Sequence, residues 1–143
     1  MHLSSEQPQN TFSGSTHPLE LDLYSNGMGG LGLPGDTSSM SRFVKATFVK
    51  LNSVSGDSET ESVNQFFHIL KSVEMQNGIV AMDKGLYEKT IYSSCCNIDK
   101  GIYYYTTYEN SQVSAVAMHK ENLDGDKLVS YPLDKTLAIQ YQN

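Results

Sequence analysis

The run GLPGDTSSMSRF at residues 32–43 joins a glycine-rich stretch to the first helix that the sequence predicts. Hydroxyl side chains at 37–39 can cap the free backbone N–H groups of a helix, and Asp36 places a negative charge at the positive end of its dipole. Apolar side chains then recur at helical spacing. We therefore expect a helix over 37–51 that carries Arg42 near its start and away from the apolar stripe.

The glycines that precede this helix, at residues 27–32, read GMGGLG and match the pattern GxGxxG. In a dinucleotide site such glycines join a strand directly to a helix, so that N–H groups meet a pyrophosphate. Here Pro34 and Gly35 interrupt the chain before a helix can begin, and no strand–helix–strand unit follows. The pattern favours a tight backbone passage between packed layers over a nucleotide site.

A second helix is expected after the polar connection at 53–59. Serine and acidic residues at 57–61 offer caps and a favourable first turn, and the pair Asn77-Gly78 supplies a stop. The buried face of this helix is expected to consist of five apolar residues that recur at helical spacing: Val63, Phe66, Phe67, Leu70 and Val73.

The remainder of the chain is rich in β-forming residues and predicts an antiparallel meander. Strands are expected over 87–96, 102–108 and 112–118, turns at 99–101 and 109–111, a helical turn over 120–123, and short final strands over 127–131 and 137–141. Two helices followed by a meander indicate the α+β fold class.

The first 36 residues differ in composition from the rest, because they are rich in Ser, Gly, Asn and Pro. We expect an extended arm and a glycine-rich loop over 1–36, with one short half-exposed strand at 19–23 where apolar and acidic residues alternate. Residues 37–143 are expected to form the ordered portion.

Charge and hydropathy exclude several classes of partner. The net charge of the 143-residue chain is −6, and its ten Lys and Arg residues are scattered, which argues against nucleic acid as a partner. No stretch approaches the ~20 apolar residues of a membrane span, and the first residues do not read as a signal peptide. The expected location is the cytoplasm. The only cysteines, Cys95 and Cys96, are adjacent, so a disulfide between them is not expected.

Few other side chains suggest chemistry by their spacing. The four histidines are His2, His17, His68 and His119, and none has a second ligand at metal spacing. His68 is expected to be a partly buried structural residue of the second helix.

Two further groups have ordinary interpretations. Cys95 and Cys96 lie within a strand and without a nearby cation, so we expect inert packing. The triplet at 124–126 reads DGD and is interpreted as a plain turn, because the other ligands of a calcium loop are absent. Arg42 is open to two interpretations on pattern alone: an exposed arginine with a surface salt bridge, or a functional cation.

Several motifs follow one another along essentially the whole chain: GLPGD at 32–36 with SRF at 41–43, FFHIL at 66–70, YSSCC at 92–96, KGIYYY at 100–105 and KENL at 120–123. In identity and order they resemble the choloylglycine hydrolase family, which includes bile salt hydrolases and penicillin V acylases. The details are more similar to the bile salt hydrolases.

The resemblance implies a fold and an activity. The fold would be the C-terminal part of an N-terminal-nucleophile hydrolase, a four-layer αββα sandwich. The activity would be hydrolysis of the amide that joins a bile acid to glycine or taurine, with conjugated bile salts as substrates and no metal or organic cofactor. Arg42 would be the active-site arginine near the nucleophile. The resemblance also implies a homotetramer, with residues 1–26 as an arm that contacts neighbouring subunits.

The family's nucleophile is a cysteine that becomes the first residue after removal of the initiator methionine, and its α-amino group acts as the base. Residue 2 here is His2, and the family's orienting aspartate, first arginine and oxyanion asparagines have no counterpart. We therefore expect a C-terminal segment that lacks the nucleophile and is inactive alone. The alternatives are a segment of a penicillin V acylase-like amidase and a non-catalytic truncated product with a binding or assembly role.

Overall fold

The computed structural model describes residue 30 and residues 32–143. Residues 1–29 and 31 of the predicted arm and glycine-rich loop over 1–36, including the strand at 19–23, therefore lie outside the described residues. The chain divides into two units, residues 1–54 and 55–143. Each unit is described by itself.

In the first unit, helix α1 extends over Ser39–Asn52. The helix begins where the sequence predicts, because the Oγ atom of the N-cap residue Ser38 accepts a hydrogen bond from the backbone N–H of Ser41. Part of its apolar stripe faces solvent: the exposed fraction is 72% for Met40 and 69% for Phe43, whereas Val44 and Phe48 are half-buried.

In the second unit, helix α2 extends over Glu59–Lys71 and starts with a capping box. The Ser58 hydroxyl accepts from the N–H of Glu61, and the Glu61 carboxylate accepts from the N–H of Ser58. The prediction that the helix continues to Asn77-Gly78 is wrong. The backbone leaves the helical path earlier, since the N–H of Met75 bonds Thr90 Oγ1 at 2.9 Å and the carbonyl of Met75 accepts from the N–H of Thr90 at 3.0 Å.

The buried face of α2 is narrower than predicted. Phe67 is only 3% exposed, whereas Phe66 is 40% exposed and contacts the Phe67 ring edge-on, with 6.4 Å between centroids. His68 is exposed, so the expectation of a partly buried histidine is also wrong. Successive residues of a helix point about 100° apart, and therefore the neighbours of a central buried residue turn towards solvent.

The strands form two antiparallel sheets. Strands β1 (Val80–Ala81) and β2 (Tyr87–Glu88) pair with each other. Strands β3 (Tyr92–Asn97), β4 (Ile102–Thr107) and β5 (Ser114–Ala117) form a three-stranded sheet in that order.

The prediction of one continuous strand over 87–96 is therefore only partly correct. The chain leaves the extended path between β2 and β3, where Thr90 bonds the loop that follows α2. The predicted hairpin and meander are confirmed, with β3 paired to β4 and β4 to β5.

The register gives the three-stranded sheet two different faces. Cys95 pairs with Tyr104, and Cys96 pairs with Tyr103; because side chains alternate along a strand, the two pairs point to opposite sides. Helix α2 approaches the side that carries Tyr104, since the Tyr104 hydroxyl donates to Glu59 Oε1 at 2.9 Å. We call the opposite side, which carries Tyr92, Tyr103, Tyr105 and Val116, the tyrosine face.

Glu59 holds the start of α2 on the β3–β4 hairpin. Its carboxylate accepts hydrogen bonds from Asn97 Nδ2 at 2.5 Å, from Tyr104 Oη at 2.9 Å and from Lys100 Nζ at 2.6 Å. The hydrogen bond from Lys100 is the largest cause that lowers the pKa of Glu59, followed by the bond from Tyr104. These bonds favour the ionised carboxylate, so acid should weaken this contact.

The predicted strands over 127–131 and 137–141 are wrong, because residues 121–143 form no helix or strand. The helical turn expected over 120–123 lies earlier, as a 3₁₀ helix over Met118–Lys120. The final segment is held by side chains instead. Thr107 Oγ1 donates to the carbonyl of Asp134 at 2.7 Å, and Asn110 Nδ2 donates to its carboxylate at 3.0 Å. Thr107 and Asn110 are 6% and 5% exposed.

Gly101 closes the β3–β4 hairpin with φ of +61°. A Cβ atom there would lie 2.6 Å from His119 Nε2. We expect Gly101→Ala to lower the free energy of unfolding by ~1–2 kcal/mol, because alanine is strained at positive φ and His119 must move. Gly85→Ala is the control, since Gly85 has φ of +73° with open space around it. Urea unfolding of both variants measures the difference; equal losses would show that the His119 contact has no effect.

Candidate functional site

A tight turn leads the chain into α1. The N–H of Leu33 donates to the carbonyl of Gly30 at 3.1 Å, and Gly32 between them has φ of +90°. Only glycine adopts that conformation without strain. Pro34 follows this turn directly, and the remaining residues of the run GLPGD lead from the turn to the start of α1.

Asp36 organises the first turn of α1. Its carboxylate accepts from the N–H of Ser38 at 2.7 Å and from the hydroxyl of Ser41 at 2.6 Å. The Ser38 hydroxyl in turn donates to Ser41 Oγ at 3.1 Å. Hydrogen bonds from Ser38, and then from Ser41, lower the pKa of Asp36 to about 2. The carboxylate is therefore ionised at any physiological pH.

Arg42 follows this network directly. Its backbone N–H donates to the carbonyl of Ser38 at 2.9 Å, which places it in the first turn of α1. Arg42 is half-buried and its neighbour Ser41 is 6% exposed. A guanidinium is permanently cationic and can donate two parallel hydrogen bonds to an anionic group. The described turn thus presents a cation on a well-anchored backbone.

We expect Ser41→Ala to raise the pKa of Asp36 from about 2 towards 3.8, because the carboxylate loses one donor. The sign follows: a lowered pKa stabilises the fold above pH ~4, and that stabilisation is lost as the pH falls towards 2. Carbon-13 NMR titration of the Asp36 carboxyl measures the change. Ser39→Ala, at an exposed neighbour outside the network, is the control. An unchanged Asp36 titration in Ser41→Ala would contradict the hydrogen-bond assignment.

The prediction of inert packing for both cysteines is wrong for Cys96, whose side chain is exposed. Cys95 and Cys96 form no disulfide, and Cys95 is half-buried. Burial, with a smaller effect from Cys96, raises the pKa of the Cys95 thiol. A raised pKa keeps this thiol protonated at neutral pH, whereas a nucleophile must be a thiolate. The half-buried position and raised pKa of Cys95 therefore do not favour a nucleophilic role.

An open groove of about 760 Å³ lies on the tyrosine face of the second unit. Its lining includes Tyr92, Tyr103 and Tyr105 from the sheet. Leu128 and Leu133, from the segment after the sheet, also line it. The Tyr103 and Tyr105 rings lie 6.3 Å apart. The lining is mostly apolar, so the groove is suited to an apolar surface. The sequence did not predict this groove, because its two sides come from segments that are distant along the chain.

Among the described residues, the remaining candidates from the sequence form no site. His68 and His119 are exposed, and His2 and His17 lie outside the described residues. The turn lies slightly earlier than the predicted residues 124–126, because the N–H of Gly125 bonds the carbonyl of Asn122 at 3.2 Å. Within residues 30 and 32–143, no three His, Cys, Asp or Glu side chains converge on a metal position. In that same part of the chain, no helix has the length and hydropathy to cross a membrane.

This chain is similar to known proteins in both sequence and fold. The chain is 60% identical over 131 residues to a bile salt hydrolase/transferase of Lactiplantibacillus plantarum, an alignment that covers 92% of this chain and 40% of that protein. It is 42% identical over 117 residues to the bile salt hydrolase/transferase of Clostridium perfringens, covering 82% and 36%. The chain therefore spans about 36–40% of the length of these curated relatives.

The fold is similar to that of a crystal structure of a conjugated bile acid hydrolase variant from Clostridium perfringens. The TM-score is 0.77 at 36% identity, covering 98% of this chain and 42% of that one. This similarity confirms the expected α+β part of an N-terminal-nucleophile hydrolase. The family model described as linear amide C–N hydrolases, choloylglycine hydrolase family, matches residues 1–131. Since that match includes the turn before α1 and the sheet alike, the chain belongs to the choloylglycine hydrolase family.

Proposed function

We propose that this chain forms part of a conjugated bile salt hydrolase, which cleaves the amide between a bile acid and glycine or taurine. The observation that carries the proposal is the 60% identity, over 92% of the chain, to a protein named as a bile salt hydrolase/transferase. Neither a metal nor an organic cofactor takes part in the reaction we propose.

Arg42 is the residue that we propose for the active site. In this reaction a thiolate attacks the amide carbonyl, the amine leaves, and water hydrolyses the resulting thioester. A fixed cation close to the thiol favours its ionised form and can hold a neighbouring anionic group. The support in this chain is a set of hydrogen bonds around Arg42. The Asp36 carboxylate accepts from Ser38 and Ser41, and the N–H of Arg42 donates to the carbonyl of Ser38, which restricts the backbone position of Arg42.

The nucleophile in this proposal comes from outside the 143 residues. Cys95 is unsuited, because burial raises its pKa. We propose that the thiol and its base lie in another part of a longer polypeptide, of which this chain forms one part. Loss of both should remove most of an acceleration of ~10⁶-fold or more. The 143-residue chain alone is thus expected to be inactive.

A hybrid enzyme tests the proposal. Residues 1–131 of this chain replace the aligned part of the Lactiplantibacillus plantarum relative, and release of glycine and taurine from conjugated bile salts is measured. We expect the hybrid to hydrolyse these substrates and the isolated chain to be at least ~10⁶-fold slower. A folded hybrid without activity would contradict the proposed function. Comparable turnover by the isolated chain would contradict the external nucleophile.

Two alternative functions are tested by two measurements, one on the hybrid and one on the isolated chain. If the chain belonged to a penicillin V acylase-like amidase, the hybrid would shift towards penicillin V relative to the unmodified parent enzyme. The names of the relatives favour bile salts. If the chain instead had only an assembly role, its exposed apolar tyrosine face would drive self-association. Light scattering of the isolated chain distinguishes this role from a monomer.

The setting of the enzyme is also a proposal. We propose a cytoplasmic bacterial homotetramer in which residues 1–26 contact neighbouring subunits. The support is the resemblance of the motifs to a family with this organisation. Mass photometry of the hybrid, with and without residues 1–26 of this chain, measures the assembly. A tetramer that persists without these residues would contradict the role of the arm.

A further inference from the structure

The loop between α2 and β1 contains an exposed Asn–Gly pair. The N–H of Ile79 donates to the carbonyl of Gln76 at 3.4 Å, which closes a turn with Asn77 and Gly78 at its centre. Gly78 has φ of +101°, the conformation that favours glycine at this position of a turn. All four residues of the turn are exposed to solvent.

We infer that Asn77 is a site of spontaneous covalent modification, at which the folded chain converts asparagine to aspartate and isoaspartate. This inference is independent of the proposed function. It follows from the chemistry of an asparagine side chain next to an unhindered backbone amide. The backbone nitrogen of residue 78 is close in the chain to the side-chain carbonyl carbon of Asn77, and a five-membered ring can form between them.

The reaction is balanced without any oxidant or reductant. The Gly78 nitrogen loses its proton and attacks Cγ of Asn77, forming a new N–C bond. The bond from Cγ to Nδ2 breaks, and the side-chain nitrogen leaves as ammonia. Water then opens the succinimide ring at one of its two carbonyl carbons. One opening gives aspartate, and the other gives isoaspartate.

The surroundings of Gly78 leave room for this ring. A Cβ atom built on Gly78 would meet no atom within 4 Å outside the neighbouring residues, so the turn is not packed against the rest of the chain on that side. Because residue 78 has no side chain, nothing on it hinders the approach to Cγ. Asn77 is exposed, so both water and hydroxide can reach its amide.

Asn110 provides an internal contrast within the described residues. It precedes Ser111, a small residue that would also permit ring closure in a flexible peptide. In the fold, however, Asn110 is 5% exposed. Its Nδ2 donates to Asp134 at 3.0 Å, and its Oδ1 accepts from the N–H of Gln112 at 3.0 Å. Both side-chain atoms are held, so Cγ of Asn110 is not free to turn towards the next nitrogen.

Modification of Asn77 would alter a tertiary contact. The backbone N–H of Asn77 donates to Tyr108 Oη at 3.0 Å, which joins this turn to the end of β4. Isoaspartate adds one methylene to the main chain at this point and introduces a negative charge. The longer main chain changes the geometry of the turn that places this N–H against Tyr108. We therefore expect the hydrogen bond to weaken and the loop after α2 to become less ordered as isoaspartate accumulates.

Peptide mapping by mass spectrometry tests the inference on the full 143-residue chain. The chain is incubated at mildly alkaline pH, both native and in denaturant, and the aspartate and isoaspartate formed at each asparagine are measured. We expect Asn77 to react at similar rates in the two states, whereas Asn110 reacts much more slowly when native. Asn26-Gly27 is the sequence's other Asn–Gly pair and reports the rate of a second pair in the same map.

The variant Asn77→Gln is the matched control. It keeps a side-chain amide and the backbone N–H that bonds Tyr108, but a six-membered ring forms far more slowly. We expect no modified product at residue 77 in this variant and an unchanged rate at the Asn26 position. Protection of Asn77 in the native chain as strong as that of Asn110 would overturn the inference. So would modification at residue 77 in the Asn77→Gln variant at the original rate.

Discussion

Replacement of Arg42 by alanine in the hybrid enzyme is expected to lower kcat/KM for conjugated bile salts by roughly 10²–10³-fold. This is the size of effect that follows removal of one preorganised charged or hydrogen-bonding group from an active site. The physical reason is that alanine removes the cation that we propose next to the thiol. The surrounding backbone should be retained, because Asp36 and Ser38 hold it through their own hydrogen bonds.

Two variants of the same helix make this result specific. Lys45→Ala removes an exposed cation three residues further along α1, and it should leave kcat/KM within about two-fold, as for most surface substitutions. Arg42→Lys keeps the charge but loses the planar pair of donors, so an intermediate loss is expected. Equal effects of Arg42→Ala and Lys45→Ala would contradict a role for Arg42 in the active site. Circular dichroism checks that each variant is folded.

Replacement of Phe67 by alanine is expected to cause the largest loss of stability, ~3–5 kcal/mol. Phe67 is 3% exposed, and with Met75 it makes up the buried hydrophobic residues of the described chain, residues 30 and 32–143. Alanine would leave a cavity in place of this buried ring. Equilibrium unfolding in urea, monitored by circular dichroism, measures the change in the free energy of unfolding.

Phe66→Ala is the matched control for this prediction. The Phe66 ring has the same size as the Phe67 ring and lies in the same helix, but it is 40% exposed. Its removal should cost about 1 kcal/mol, mainly through the lost edge contact with Phe67. Losses of equal size would contradict the assignment of Phe67 as the centre of the buried face. A loss that is larger for Phe66 would indicate that this ring is covered in the molecule in solution.

The start of each helix could be predicted from the sequence, because the interactions that set it are local. Ser38 caps α1 through an atom three residues away, and Ser58 and Glu61 form their capping box over the same distance. The β3–β4 hairpin is local as well, since Gly101 adopts the positive φ that its turn requires. The motif around Arg42 identified the family for the same reason: its residues are contiguous.

Tertiary structure alone decided the features that join distant residues. Glu59 meets Asn97 and Tyr104 across 38 and 45 residues, and no local pattern selects these partners. The end of α2 depends on the bond between Met75 and Thr90, which spans 15 residues. Periodicity predicted a helix beyond that point, since it describes only which side chains share a face.

The same limit explains the errors after β5 and at the groove. The β-forming residues over 127–131 predicted a short strand, but a strand needs a partner edge for its backbone hydrogen bonds. Here the Thr107 side chain bonds the backbone carbonyl of Asp134, and the Asn110 side chain bonds the Asp134 carboxylate instead. The sequence thus determined the family, the helix starts and the hairpin through contacts a few residues apart. Only the folded chain decided which surfaces are buried, because burial depends on which distant residues pack together.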